Sequence, residues 1–194
     1  GIGLCCAGGA RVRFQDVEVC AIAPEPASPP PLLHATADGT GAGGLLILDE
    51  GQTGAPSKWE LVDHELRQRS AIRDRSPDDS PVKLGTLAVA PAALSHLRDW
   101  VLRVGLRSPG GCLGIVFGYI DQKNYNLLLF DIDQDRCLLV RRLHGDFSVL
   151  WARDRAIEQD RPVQVMLVQR GRRLQGLVDE IPLFELDDLG RLGD

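Results

Sequence analysis

The chain has 194 residues, room for one domain with a surplus, and its 44% hydrophobic and 25% charged residues can supply a core of their own. A net charge of −5 argues against general binding to a nucleic-acid backbone, and no apolar run reaches the ~18 residues of a membrane-spanning helix, so neither nucleic acid nor membrane insertion is expected. Twenty-one glycines and twelve prolines against 5% aromatics favour many short strands over long helices.

The first twenty residues alternate. Val12, Phe14, Val17 and Val19 are apolar, with Arg11, Arg13, Asp16 and Glu18 between them, and the break at Gln15–Asp16 predicts a bulge. Residues 1–20 read as a terminal strand, belonging to a preceding sandwich domain or completing this one, because an isolated strand would expose an unpaired edge. Residues 21–44 read as a Pro/Gly-rich linker, carrying Pro24, Pro26, Pro29, Pro30 and Pro31 and then Gly39, Gly41, Gly43 and Gly44. The glycine run fits G-x-G-x-x-G. A dinucleotide site needs a strand before it and a helix after it, whereas here a proline linker precedes and a strand follows.

Strands then come at short, regular spacing: 45–48, 59–64, 66–72, 84–89, 99–106, 112–120, 125–132, 137–143, 147–151, 163–169 and 174–179. A single helical turn is expected at 91–97. Turn signals separate the strands at Ser108-Pro109-Gly110-Gly111, Asp133 to Arg136, His144-Gly145-Asp146 and Arg170-Gly171-Arg172. About a dozen strands without a sustained helical period predict an all-β, two-sheet antiparallel sandwich. The two ends rhyme, Ile2-Gly3 matching Leu192-Gly193, as though the chain were cut from a tandem array one strand out of phase.

The run Asp99-Trp100-Val101-Leu102-Arg103-Val104, then Gly114-Ile115-Val116-Phe117-Gly118-Tyr119-Ile120-Asp121 and Asn124-Tyr125, resembles the concanavalin A-like lectin/glucanase superfamily. Within it the sequence is most similar to laminin G-like and thrombospondin C-terminal-like domains. Trp59, Gln68, Ser70, Gly145 and Gly176-Leu177-Val178-Asp179 follow in the same order. The resemblance implies a jelly roll over 45–194, binding of glycan or protein, often a calcium ion, and an extracellular or cell-surface setting. It departs at Pro109-Gly110-Gly111, where the family's usual acids before the Gly114 strand are missing.

Asp121, Asn124 and Tyr125 are the candidate ligand-binding residues. Asp and Asn grip sugar hydroxyls or a cation and Tyr offers a flat apolar face; the competing reading is a turn with a left-handed Asn and a core Tyr. Asp49, in Asp49-Glu50-Gly51 after the first strand, is the candidate calcium ligand, against a plain turn. Asp131, Asp133 and Asp135 start like a calcium loop, but Arg136 and Arg142 stand where its glycine and closing glutamate belong, so a hairpin turn is preferred. Glu185-Leu186-Asp187 resembles part of a glucanase E-x-D-x-x-E strand, with Gly190 in place of the third acid. Trp59, Trp100 and Trp151 read as core, and Arg67, Arg69, Arg73 and Arg75, interspersed with acids, as a solvated face rather than a heparin-like patch. Cys5, Cys6, Cys20, Cys112 and Cys137 are either buried small hydrophobes or partners in one or two disulfides.

Together these residues predict a non-catalytic extracellular binding or adhesion module of a multi-domain repeat protein, recognising glycan or protein through loops at the sandwich rim. The alternatives are a building block assembled by strand complementation between neighbouring copies, and a glycan hydrolase.

Overall fold

A computed structural model describes residues 2–7, 12–21, 33–34, 45–51, 54–63, 65–72, 82–90 and 99–187. The expected turn at 91–97, the glycine run 39–44, most of the linker, Arg73, Arg75 and the closing 190–193 lie outside these residues. Fifteen strands and no helix occur among the described residues. They are β1 (Gly3–Ala7), β2 (Val12–Ala21), β3 (Leu33–His34), β4 (Leu46–Asp49), β5 (Trp59–Val62), β6 (Glu65–Gln68), β7 (Gly85–Val89) and β8 (Asp99–Arg107). The rest are β9 (Cys112–Asp121), β10 (Asn124–Asp131), β11 (Arg136–Leu143), β12 (Asp146–Asp154), β13 (Val163–Arg170), β14 (Arg173–Val178) and β15 (Ile181–Leu186).

The fold is the all-β, two-sheet antiparallel sandwich that the alternation predicts. One sheet runs β12-β11-β10-β9-β1-β7-β4; the other runs β15-β14-β13-β8-β2-β6-β5, with β3 paired to β2. The first twenty residues supply two strands, one to each sheet. β1 lies between β7 and β9, with Cys5 opposite Leu87 and Gly114, and β2 lies between β6 and β8. The approach of β7 to β1 is close enough to require Gly85, since a Cβ there would run into the Cys6 carbonyl oxygen. The predicted break in β2 is a register shift between Gln15 and Glu18, with Asp16 at φ 49°.

Between the sheets lie Leu4, Phe14, Val19, Leu102, Val104, Ile115, Phe117, Leu128, Phe130, Leu139 and Leu167. Trp100 is buried there against Phe117, while Trp59 and Trp151 are half-buried against Phe14 and Phe184. A second apolar cluster covers the other face of the first sheet: Cys5, Val116, Leu127, Leu129, Leu138 and Val140, joined by Tyr125. That double burial explains two runs without alternation, Leu4 to Ala7 and Leu127 to Phe130, in which every side chain is buried.

All five cysteines are free thiols, and the disulfide alternative is not realised. Four are buried and Cys20 is half-exposed. Burial, reinforced by Asp131, pushes the Cys112 thiol up to about 12, and burial pushes Cys137 up to about 11. Maleimide at pH 8 is therefore expected to label Cys20 in the native chain and all five thiols after unfolding; native labelling of Cys112 or Cys137 would contradict the packing. The unfolded chain gives up these protons first, so stability should fall as pH rises above ~8.5.

Candidate functional site

The β9–β10 hairpin holds the candidate ligand residues. Asp121 accepts hydrogen bonds from the Lys123 amide at 2.7 Å and from the Asn124 side-chain amide at 2.9 Å, and these hold its carboxyl below the usual range. Asn124 opens β10 and is not left-handed; positive φ falls instead on His144, at 53°. The Asn124 side-chain oxygen Oδ1 accepts the His144 amide at 3.0 Å, and the Gly145 amide donates to the Lys123 main-chain carbonyl at 3.1 Å. Two hairpin turns are thereby tied together, with Asp121, Lys123 and His144 exposed on them.

Tyr125, the next residue along β10, packs on the outer face of the first sheet and is 1% exposed. Antiparallel register fixes its neighbours: Tyr125 stands opposite Arg142, and Arg142 opposite Phe147, so three strands present one row. The guanidinium lies 5.7 Å from the Tyr125 ring centre and 5.0 Å from that of Phe147. Tyr119 stacks on Tyr125 at 6.2 Å, and Phe147 meets it edge-on at 6.4 Å.

Glu50 closes the cluster. Its carboxylate pairs with Arg142 at 2.7 Å, and its other oxygen lies 3.4 Å from the Tyr125 hydroxyl. Arg142 also donates to the Gly145 carbonyl at 3.2 Å, which anchors the cluster to the turn. Burial, followed by the Glu50 charge, pushes the Tyr125 hydroxyl pKa up. Burial works against the Arg142 charge, but Tyr125 and Glu50 outweigh it and raise its pKa. Glu50 follows β4, five strand places from β11. A flat sheet would separate those strands by ~24 Å. The ion pair therefore requires the first sheet to curl over its outer face, enclosing the second apolar cluster.

The structure thus joins two loci that the sequence marks separately, but through Glu50 rather than Asp49. Asp49 accepts the Ser57 amide at 2.8 Å, beside a chain in which the Trp59 indole donates to the Thr86 hydroxyl at 3.0 Å and Thr86 to the Ser57 hydroxyl at 3.0 Å. Burial raises the Asp49 pKa, yet hydrogen bonding, chiefly from Ser57, prevails and lowers it. One Asp49 oxygen has no hydrogen-bond partner. Calcium takes about 6–8 oxygens, however, and the neighbouring acid is committed to Arg142. Among the described residues no group of three or more His, Cys, Asp or Glu side chains is placed to hold a metal ion.

Four other acids singled out in the sequence are occupied as well. Asp133 accepts the Gly111 amide at 2.9 Å, so the acid-poor Pro109-Gly110-Gly111 loop borrows its carboxylate from the next turn. Asp131 caps the Gln134 amide at 3.2 Å and lies 3.9 Å from Arg136. Glu185 and Asp187 share one partner, Arg173. The sequence reading missed Glu50, Tyr119, Arg142 and Phe147 as site residues. The available signals were Glu50 beside Asp49, Tyr119 within the resemblance run, and a register countable from the turns.

No family model matches the chain, and no curated protein matches it. A solved carbohydrate-binding module, CBM66 from Bacillus subtilis, is similar to 48% of this chain over 73% of its own length, at 14% identity and a TM-score of 0.40.

Proposed function

We propose that the chain is a non-catalytic extracellular or cell-surface binding module of the concanavalin A-like kind, in which residues 1–21 complete the sandwich of 45–187. Its ligand is a glycan, taken at the rim between the two tied turns. The observation that carries this reading is the row Tyr125–Arg142–Phe147, capped by Glu50 and flanked by Tyr119. Half-buried Tyr119 and Phe147 offer aromatic faces to a sugar ring, while exposed Asp121 and His144 offer hydrogen bonds to its hydroxyls. Buried Tyr125 is the floor of the site, and the Arg142–Glu50 pair fixes the geometry before any ligand arrives. Against hydrolysis stands the acid arrangement: Glu185 and Asp187 both face Arg173, whereas hydrolysis needs one carboxyl protonated and a second free to attack or activate water.

Titration calorimetry of the chain against a panel of neutral oligosaccharides tests the proposal. Tyr119→Ala and Phe147→Ala should each weaken binding by up to about tenfold with the fold retained. Absence of binding across the panel, or unchanged affinity in both variants, would refute it. Release of reducing sugar by the wild type and its loss in Glu185→Gln would convert the protein into a hydrolase.

A further inference from the structure

We propose that the outer face of the second sheet carries a separate anion-recognition row, made by Arg67, Arg13 and Arg107, that takes the acidic groups of a polysaccharide. The proposal goes beyond the rim site and uses none of its residues.

The row follows from the pleat. Val12 and Phe14 face the core, so Arg13 between them faces outward, and the same alternation turns Arg67 and Arg107 outward beside Leu66 and Leu106. Register places Arg13 directly opposite Arg67 on β6 and Arg107 on β8. Like charges facing one another across strands are destabilising, so a row of three needs counter-charges. Arg67 has them: Glu65 at 2.8 Å and Asp63 at 3.8 Å. Arg13 reaches the same Glu65 only at 4.0 Å. Glu60, opposite Arg67, is paired with Arg69 at 2.6 Å. Arg107 has no ion pair among the described residues, and its Nε is buried without a hydrogen-bond partner. The charge deficit therefore sits between Arg107 and Arg13, where Arg13 keeps 42% of its side chain exposed.

The Arg107 Nε itself is shielded from solvent, so an incoming carboxylate, sulfate or phosphate meets the outer nitrogens of the Arg107 and Arg13 guanidiniums, whose planar forks suit such groups. The adjoining row distinguishes among the carriers of such groups. There Gly105 stands between Gln15 and Gln164, and a Cβ on it would come within 3.1 Å of the Gln164 amide nitrogen and 3.2 Å of Gln15 Cβ. Amide side chains next to an anion subsite match a ligand that carries hydroxyls beside each acidic group, as a uronic-acid or sulfated polymer does. The Gln15 amide donates to Glu65, leaving its carbonyl to accept. The polymer would lie across β6, β2 and β8, with one acidic group over Arg107 and Arg13.

Calorimetry of the full chain with polygalacturonate, uncharged dextran, monomeric galacturonate and inorganic sulfate decides the matter. Polygalacturonate should bind more tightly than dextran, and R13Q should leave any dextran binding at the rim unchanged. R107Q and R13Q should each weaken polygalacturonate binding on the order of tenfold. R173Q, away from the row and from the rim site, should leave it unchanged. Because Arg13 is the more exposed of the two, R13Q remains informative if R107Q does not fold. Wild-type affinity in R13Q, equal binding of dextran, no binding of polygalacturonate, or free sulfate or galacturonate binding as tightly as the polymer would each overturn the proposal. Failure here leaves the rim reading standing, because that one is read out by neutral sugars and by Y119A.

Discussion

Deletion of residues 1–21 is expected to leave a chain with no cooperative unfolding transition and a strong tendency to aggregate. Those residues supply a central strand to each sheet, not an edge. Without β1, the facing edges of β7 and β9 lose their partner; without β2, those of β6 and β8 do. Each becomes an exposed ladder of unpaired amides and carbonyls. The core loses Ile2, Leu4, Val12, Phe14, Val17 and Val19, all buried. At about 1.5–3 kcal/mol per buried side chain, six such losses amount to roughly 9–18 kcal/mol, against a total stability of about 5–15 kcal/mol for a typical domain. Circular dichroism melting and light scattering measure the outcome. A peptide of residues 1–21 added in trans should restore solubility and a cooperative transition. A deletion variant that melts like the wild type would show that the strands are dispensable.

The two strands also show what period-two patterning can and cannot reveal. β2 was legible because one of its faces meets the core and the other meets solvent, so Val12, Phe14 and Val19 alternate with charge. β1 was not, because Leu4-Cys5-Cys6-Ala7 is buried on both faces and carries no period. β15 is masked for a different reason: Pro182 interrupts its pattern, and its pairing with β14 makes it a strand. The same limit governs the rim site. The hairpin with Asp121 and Asn124 was visible as polar residues between two strand patterns. Contact between Glu50 and Arg142, 92 residues apart, depends on curvature of the whole sheet, which no local pattern encodes. The Arg67–Arg13–Arg107 row is likewise a product of register. Its arginines come from three separate strands, and a linear reading saw only the Arg67 cluster with its balancing acids.

That curvature makes Glu50 and Arg142 a pair whose disruption should be felt strongly. Their side chains are 9% and 13% exposed, so solvent does little to screen either charge. Removing one partner from such a pair leaves the other buried and uncompensated, a loss of about 3–5 kcal/mol. Glu50→Gln keeps a hydrogen-bond acceptor for Arg142 and should fall near the lower end, about 3 kcal/mol by urea denaturation. Arg142→Met should cost a similar amount, since it strands Glu50 and also removes the guanidinium from between the Tyr125 and Phe147 rings. Coupled in this way, the double variant should lose less than the sum of the singles, by about 1 kcal/mol or more. The cycle also bears on the curl. With the charges gone, apolar contacts such as those of Leu48 carry more of the hold on the β4 end over the second cluster, so amide exchange should quicken in β4 and at Tyr125 before it does in β8 or β13. Strictly additive losses, or exchange unchanged in β4, would mean that the ion pair decorates a curvature set by packing alone.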